Sequence, residues 1–196
     1  MKKIILAMTL LFTLVVTACN GQGNKQIKKE NMKTLVVYFS QTGNTEKIAK
    51  KAVEATGADI ELLETVTPYT GNYQKIVSDA QDEVERDYQR PIKPLKHNIK
   101  DYDRIIVGTP TWWYKMASPI LTFLSTNDFK GKVVVPFMTN AGWPGTVIND
   151  MTRVAEKNGA KVENAHEFKF NTHDDGTTTG MATSEAELDK WVNSLK

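Results

Sequence analysis

The residues best suited to chemistry stand together in Ser40-Gln41-Thr42-Gly43-Asn44-Thr45: three hydroxyls, two amides and a glycine. The apolar and β-branched run beginning at Leu35 leads into them, and Ile48, Ala49, Ala52, Val53 and Ala55 follow at helical spacing. This order predicts a buried strand, a tight loop and a helix. The first N–H groups of a helix lack intrahelical partners and the macrodipole is positive there, so such a loop can hold a phosphate without a cationic side chain. The lysine that a nucleotide triphosphatase loop requires is absent, which leaves one terminal phosphate on neutral hydrogen bonds, or an ordinary turn.

Two further loops can share a ligand with the first. Asp103 to Thr109 reads as a strand and runs into Pro110-Thr111-Trp112-Trp113-Tyr114, expected as a loop before a helix that begins near Ser118. One tryptophan can be buried in the core, but three consecutive aromatics are hard to bury together, and a planar ligand would account for them. Lys132 to Thr139 reads as another strand and ends in Thr139-Asn140-Ala141-Gly142-Trp143. Ser40, Thr109 and Thr139 each close an expected strand, so the three loops rise from one sheet edge.

The remaining elements must position these loops. Ala58 to Glu64 is expected as a strand, Asn72 to Gln89 as a helix on Ile76, Val77, Ala80 and Val84, Thr146 to Asn158 as a helix closed by Gly159, and Val162 to Phe170 as a fifth strand. Asn171 to Gly180 is polar and expected as a loop, and Ser184 to Leu195 as a final helix with Ser184 and Glu187 spaced as a capping box. The charges between Asp79 and Arg90 predict a solvated helix face. His97, His166 and His173 are too far apart to suggest a metal site. Strands alternating with helices imply a parallel sheet with right-handed crossovers, which binds ligands at the carboxyl ends of its strands.

With these residues in hand, Ser40-Gln41-Thr42-Gly43-Asn44-Thr45 resembles the phosphate loop of flavodoxins, and Pro110-Thr111-Trp112-Trp113 resembles the aromatic loop of flavodoxin-like families. The resemblance spans Lys33 to Lys196. It implies an α/β, three-layer flavodoxin-like fold with a five-stranded parallel sheet in the order 2-1-3-4-5. It implies FMN as cofactor, with Ser40, Gln41, Thr42, Gly43, Asn44 and Thr45 at the phosphate. Pro110, Thr111, Trp112, Trp113 and Tyr114 would lie along one side of the ring, and Thr139, Asn140, Ala141, Gly142 and Trp143 along another. Two departures from the family's pattern lie in these loops: related families place glycine where Tyr114 stands, and small residues where Trp143 stands.

The start of the chain reads differently. Met1-Lys2-Lys3, the apolar run Ile4 to Ala18 and the lone Cys19 predict a signal peptide over 1–18. Val16-Thr17-Ala18-Cys19 resembles a bacterial lipobox, which implies a lipid on Cys19. Residues 19–32 then form a polar tether, with the domain over 33–196. Fifteen apolar or small residues are fewer than the ~20 a spanning helix needs. With one cysteine there is no internal disulfide, so the fold rests on its core. Without Lys2 and Lys3 the formal charge of +2 falls to zero, and nothing in that balance suggests nucleic acid.

Two functions fit this reading. One is an FMN-dependent redox protein in the cell envelope, passing electrons between protein partners or from NAD(P)H to a small acceptor such as a quinone. The other is an envelope binding or scaffold module whose flavin site is vestigial.

Overall fold

The structure is a computed structural model and describes residues 32–196. The expected signal peptide, Cys19 and all but the last residue of the tether lie outside the described residues. Among the described residues no helix is long and apolar enough to cross a membrane.

Among the described residues there are eight strands and five α-helices. In order they are β1 (Thr34–Tyr38), α1 (Asn44–Thr56), β2 (Asp59–Leu62), α2 (Tyr73–Glu85), β3 (Arg104–Trp112), β4 (Lys115–Met116), α3 (Ser118–Thr126), β5 (Val133–Asn140), α4 (Val147–Lys157), β6 (Lys161–Val162), β7 (His166–Thr172), β8 (Thr178–Met181) and α5 (Glu185–Ser194). The main sheet runs β2-β1-β3-β5-β7-β8. Its first five strands are parallel and are the five expected, in the expected order.

Both faces of the central strands are covered, which is why they read as continuous apolar runs. Leu35, Val37, Ile105, Val107 and Val134 pack on one face with the buried side chains of α3 and α4. Val36, Tyr38, Ile106, Val135 and Phe137 pack on the other with α1 and α5. Helix, sheet and helix make the three layers. Burying each of these Val, Leu or Ile side chains contributes about 1.5–3 kcal/mol, which fixes the strand register and with it the loops.

The structure corrects several expectations. The sheet gains three short strands, β4, β6 and β8, beyond the five expected. β3 does not end at Thr109 but continues to Trp112, because Thr111 and Trp112 pair antiparallel with Met116 and Lys115. Pro110, Thr111 and Trp112 are therefore strand residues, and the aromatic loop shrinks to Trp113-Tyr114. β1 stops at Tyr38, so Ser40 belongs to the loop.

The expected strand from Val162 to Phe170 is split into β6 and β7, with Asn164 between them in the left-handed region at φ 50°. The segment expected as a loop, Asn171 to Gly180, is largely a hairpin in which Asn171 pairs with Gly180 and Thr172 with Thr178. On α2 the solvated face has one exception. Glu83 is buried, ion-paired with Arg90, and accepts a hydrogen bond from the Tyr69 hydroxyl at 2.6 Å.

Candidate functional site

At the carboxyl ends of β1, β3 and β5 lies a cleft of about 320 Å³. The β1–α1 loop forms its polar wall. Gly43 is the N-cap of α1, held at φ 88° where a side chain would be strained, and it has no side chain to offer the first turn of the helix. The Ser40 hydroxyl accepts from the N–H groups of Gly43 and Glu46, at 3.2 and 3.3 Å, and so shapes the loop from behind. The N–H groups of Asn44 and Thr45 have no partner among the described residues. Those two donors and the helix dipole provide for an anion what a cation would otherwise have to supply.

Gln41, Thr42 and Asn44 line the cleft, whereas Ser40, Gly43 and Thr45 stand behind it. Thr45 is buried and its hydroxyl is 2.8 Å from that of Thr139, a bond that ties the polar wall to β5. From the third loop Thr139, Asn140, Ala141 and Trp143 line the cleft. Gly142 stands back from it, with its N–H on the Asn140 side-chain oxygen at 2.7 Å. The Asn140 amide also donates to Glu167 at 3.0 Å, so this side chain is fixed from both ends.

The opposite wall is aromatic. Pro110, Thr111, Trp112, Trp113 and Tyr114 all line it. Trp112 packs edge-on against Phe39 and Tyr69, with centroids 5.4 and 4.9 Å away. The Arg90 guanidinium covers Tyr69 at 3.8 Å from its centroid. Burial, and then the hydrogen bond to Glu83, push the Tyr69 phenol well above the ordinary tyrosine range, so it remains a protonated donor behind Trp112. Trp113 and Tyr114 form the two-residue turn of the β3–β4 hairpin, at φ 46° and 66°. The Trp113 indole donates to the Val77 carbonyl of α2 at 2.9 Å.

All three predicted loops thus meet in one cleft, and the sequence reading missed the two elements that cover it. From α2 come Tyr73, Ile76, Val77 and Ala80, whose helical spacing marked an apolar face without showing what it faces. From the β7–β8 hairpin come Thr172 and Gly176. The Gly176 backbone lies so close to the Tyr73 ring that a Cβ there would sit 2.3 Å from it. Thr178 donates to the Asn44 side-chain oxygen at 2.8 Å, and Gln74 to the Asp174 carbonyl at 3.3 Å. The many threonines of 177–179 were the available signal, since β-branched residues favour strands.

Among the described residues no charged side chain lines the cleft. Among the described residues no group of three His, Cys, Asp or Glu could hold a metal ion. The arrangement suits a ligand with one anionic end, for the helix N-terminus, and a flat apolar body, for the aromatic wall.

Comparison with known proteins agrees with the fold. Residues 33–195 match the profile of the family described as Flavodoxin. A Bacteroides eggerthii protein assigned to the flavoproteins shares 29% identity and superposes with a TM-score of 0.66, covering 84% of this chain and 98% of that one. A flavoprotein from Lactobacillus acidophilus, solved in complex with FMN, has the same fold at 23% identity, with a TM-score of 0.61 over 82% of this chain and 99% of that one. An NAD(P)H dehydrogenase (quinone) of Brucella anthropi is 35% identical over 101 residues, 47% of this chain and 45% of its own length. The chain spans about half the length of the curated relatives it matches. With the family profile covering everything from Lys33 to Leu195, on a sheet of this order, the chain belongs to the flavodoxin family.

Proposed function

We propose that the protein binds FMN in this cleft and works as an exported, lipid-anchored redox protein. The observation that carries the proposal is the joining, in one cleft lined by no charged side chain, of a helix N-terminus with two free N–H groups to a wall of aromatic rings. The free N–H groups of Asn44 and Thr45, with Thr42 and the Asn44 amide beside them, would hold the phosphate. Trp112 and Trp113 would flank the ring, and Asn140 and Ala141 would close its other edge. When bound, FMN supplies one- and two-electron chemistry at N1 and N5.

The protein's part is to bind, orient and exclude water. Trp112, Ile76, Val77 and Ala80 present apolar surface, and the β7–β8 hairpin closes over the polar end. A cleft without a cation does little to offset negative charge on a reduced ring, so these residues favour a low reduction potential. Resemblance to an FMN complex supports the cofactor, and to a quinone dehydrogenase a role as oxidoreductase. Electrons would pass to a protein partner, or from NAD(P)H to a small acceptor such as a quinone.

Export and anchoring rest on the sequence alone. Residues 1–18 would be cleaved, Cys19 acylated and the domain held in the cell envelope by the tether. Cys19→Ala is then expected to release the protein from the membrane fraction, and full retention would contradict the anchor.

The purified protein is expected to be yellow and to release FMN on denaturation. A colourless product that cannot be reconstituted with FMN would overturn the cofactor assignment in favour of a vestigial site. Bleaching by NADH or NADPH without air is expected of an oxidoreductase, and bleaching only by a reduced protein partner is expected of a carrier.

A further inference from the structure

A largely buried cation stands one layer behind the aromatic wall of the cleft. Trp112 lines the wall and packs edge-on against Tyr69, with ring centroids 4.9 Å apart. The Arg90 guanidinium covers the Tyr69 ring at 3.8 Å from its centroid, and the Arg90 side chain is only 14% exposed. A guanidinium is a permanent positive charge in a protein, so one sits two ring contacts from the cleft.

Glu83 answers that charge. It follows Ala80 by three residues on α2, which puts it on the helix face that covers the cleft, one turn farther along. Its side chain is 5% exposed. One carboxylate oxygen pairs with Arg90, and the other accepts from the Tyr69 hydroxyl at 2.6 Å. Arg90 gives further donors to the Thr67 carbonyl, at 2.8 and 3.2 Å. Its own carbonyl accepts from Thr122 of α3 at 2.8 Å, so the pair is held between two helices.

Such a pair is a poor way to stabilise a fold. Desolvating two charges costs about what their attraction returns, and apolar residues of the same volume often do as well. The charged side chains that share a small cavity with Glu83 are matched among themselves, Lys115 with Asp87 and Arg153 with Asp150, each at 2.9 Å. Taking away the charge of Glu83 would therefore leave one positive charge, little screened by solvent, behind the wall. A cofactor that gains negative charge on reduction would feel it.

We propose that Glu83 is a positioning residue that sets the reduction potential of the cofactor from outside the cleft. It anchors Arg90 and Tyr69 behind Trp112, and it cancels the charge of Arg90 so that the wall meets the ring with no net charge at its back. The inference rests on the FMN reading for what the wall touches.

The test is a pair of anoxic titrations of the purified protein, one with oxidised FMN and one with dithionite-reduced FMN. The ratio of the two dissociation constants follows the shift in potential on binding, and a loss of stability that affects both forms alike does not move it. Glu83→Gln keeps the size of the side chain and an acceptor for Tyr69 but leaves Arg90 unmatched. It is expected to favour reduced FMN about tenfold more than the wild type does, the effect of one charge roughly 10 Å away in a protein interior. The double variant Glu83→Gln, Arg90→Gln carries neither charge, and Tyr69→Phe keeps both, so each should stay within threefold of the wild-type ratio. Arg90→Gln, titrated at pH 9, leaves the carboxylate unmatched and is expected to shift the ratio toward oxidised FMN.

A folded Glu83→Gln with the wild-type ratio would overturn the proposal, as would a tenfold shift that persists in the double variant. A tenfold shift in Tyr69→Phe would also overturn it, by tracing the effect to packing instead of charge. Should Glu83→Gln not fold, Arg90→Gln decides: a shift toward oxidised FMN supports the role, and no shift or the opposite one overturns it. A wild-type protein that binds neither form of FMN refutes the cofactor reading, whereas one that binds both beside an unresponsive Glu83→Gln refutes this inference alone.

Discussion

The two walls of the cleft follow opposite rules. In the polar wall every demanding backbone position carries a residue that suits it: Gly43 takes φ 88°, and Ser40 and Thr45 spend their hydroxyls inside the loop and on Thr139. In the aromatic wall the hairpin turn needs two residues in the left-handed region, a place for Asn-Gly or Gly-Gly, and Trp113 and Tyr114 occupy it. Each such residue costs about 1–2 kcal/mol. One wall is locally relaxed. The other accepts strain to place two rings at a ligand, which is where strained backbone tends to persist.

Two glycines, one in the polar wall and one in the third loop packed under the aromatic turn, put the comparison to the test with the largest expected effect. A Cβ on Gly145 would collide with the Tyr114 backbone, at 2.0 Å from its oxygen and 2.4 Å from its Cα, and Gly145 itself stands at φ 59°. Gly145→Ala is expected to lose about 3 kcal/mol of stability and to push the hairpin tip off the third loop. A Cβ on Gly43 meets nothing within 4 Å, so Gly43→Ala should lose only the conformational term, about 1 kcal/mol. Denaturant unfolding of both variants measures the difference. Equal losses would mean that the aromatic wall is no more tightly built than the polar one.

The next effect concerns how the polar wall is fastened. Thr45 and Thr139 share one buried hydrogen bond between α1 and β5. Thr45→Val leaves the Thr139 hydroxyl buried and unpaired, at a cost of about 1–3 kcal/mol. Replacing both by valine removes the orphan, so the double variant is expected to be more stable than the single. A double variant that loses the sum of the two single losses would show that the bond does not couple the elements.

The same contrast explains what the sequence revealed. β1, β3 and β5 were legible because burial on both faces leaves unbroken apolar runs, and the phosphate loop because Gly43 and its hydroxyls obey local rules. The hairpin at Trp113-Tyr114 was hidden because no turn residue marks it, so the strand was ended at Thr109 instead of Trp112. The cover from Tyr73, Val77 and Gly176 was hidden for another reason. It depends on where α2 and the β7–β8 hairpin pack, and nothing in the spacing of a helix face or a polar run specifies its neighbour. Asn164, at φ 50°, split the last expected strand although the residues around it still favour extension.

The smallest effect is the most informative about why the aromatic wall is strained. Tyr114→Gly relieves a left-handed tyrosine, a gain of about 1–2 kcal/mol. It also gives up the edge-to-face contact with Trp143, about 0.5–1.5 kcal/mol, and adds roughly 0.5–1 kcal/mol of unfolded-chain entropy. The terms nearly cancel, and a stability change within about 1 kcal/mol is expected. Tyr114→Asn tolerates the same backbone without the glycine entropy, so it should match or exceed Tyr114→Gly. If the tyrosine were there to hold the fold, both variants would lose 2 kcal/mol or more, as buried aromatics do when truncated. Near-neutral values would place the reason for the ring outside the folded domain's own stability, with whatever enters the mouth of the cleft.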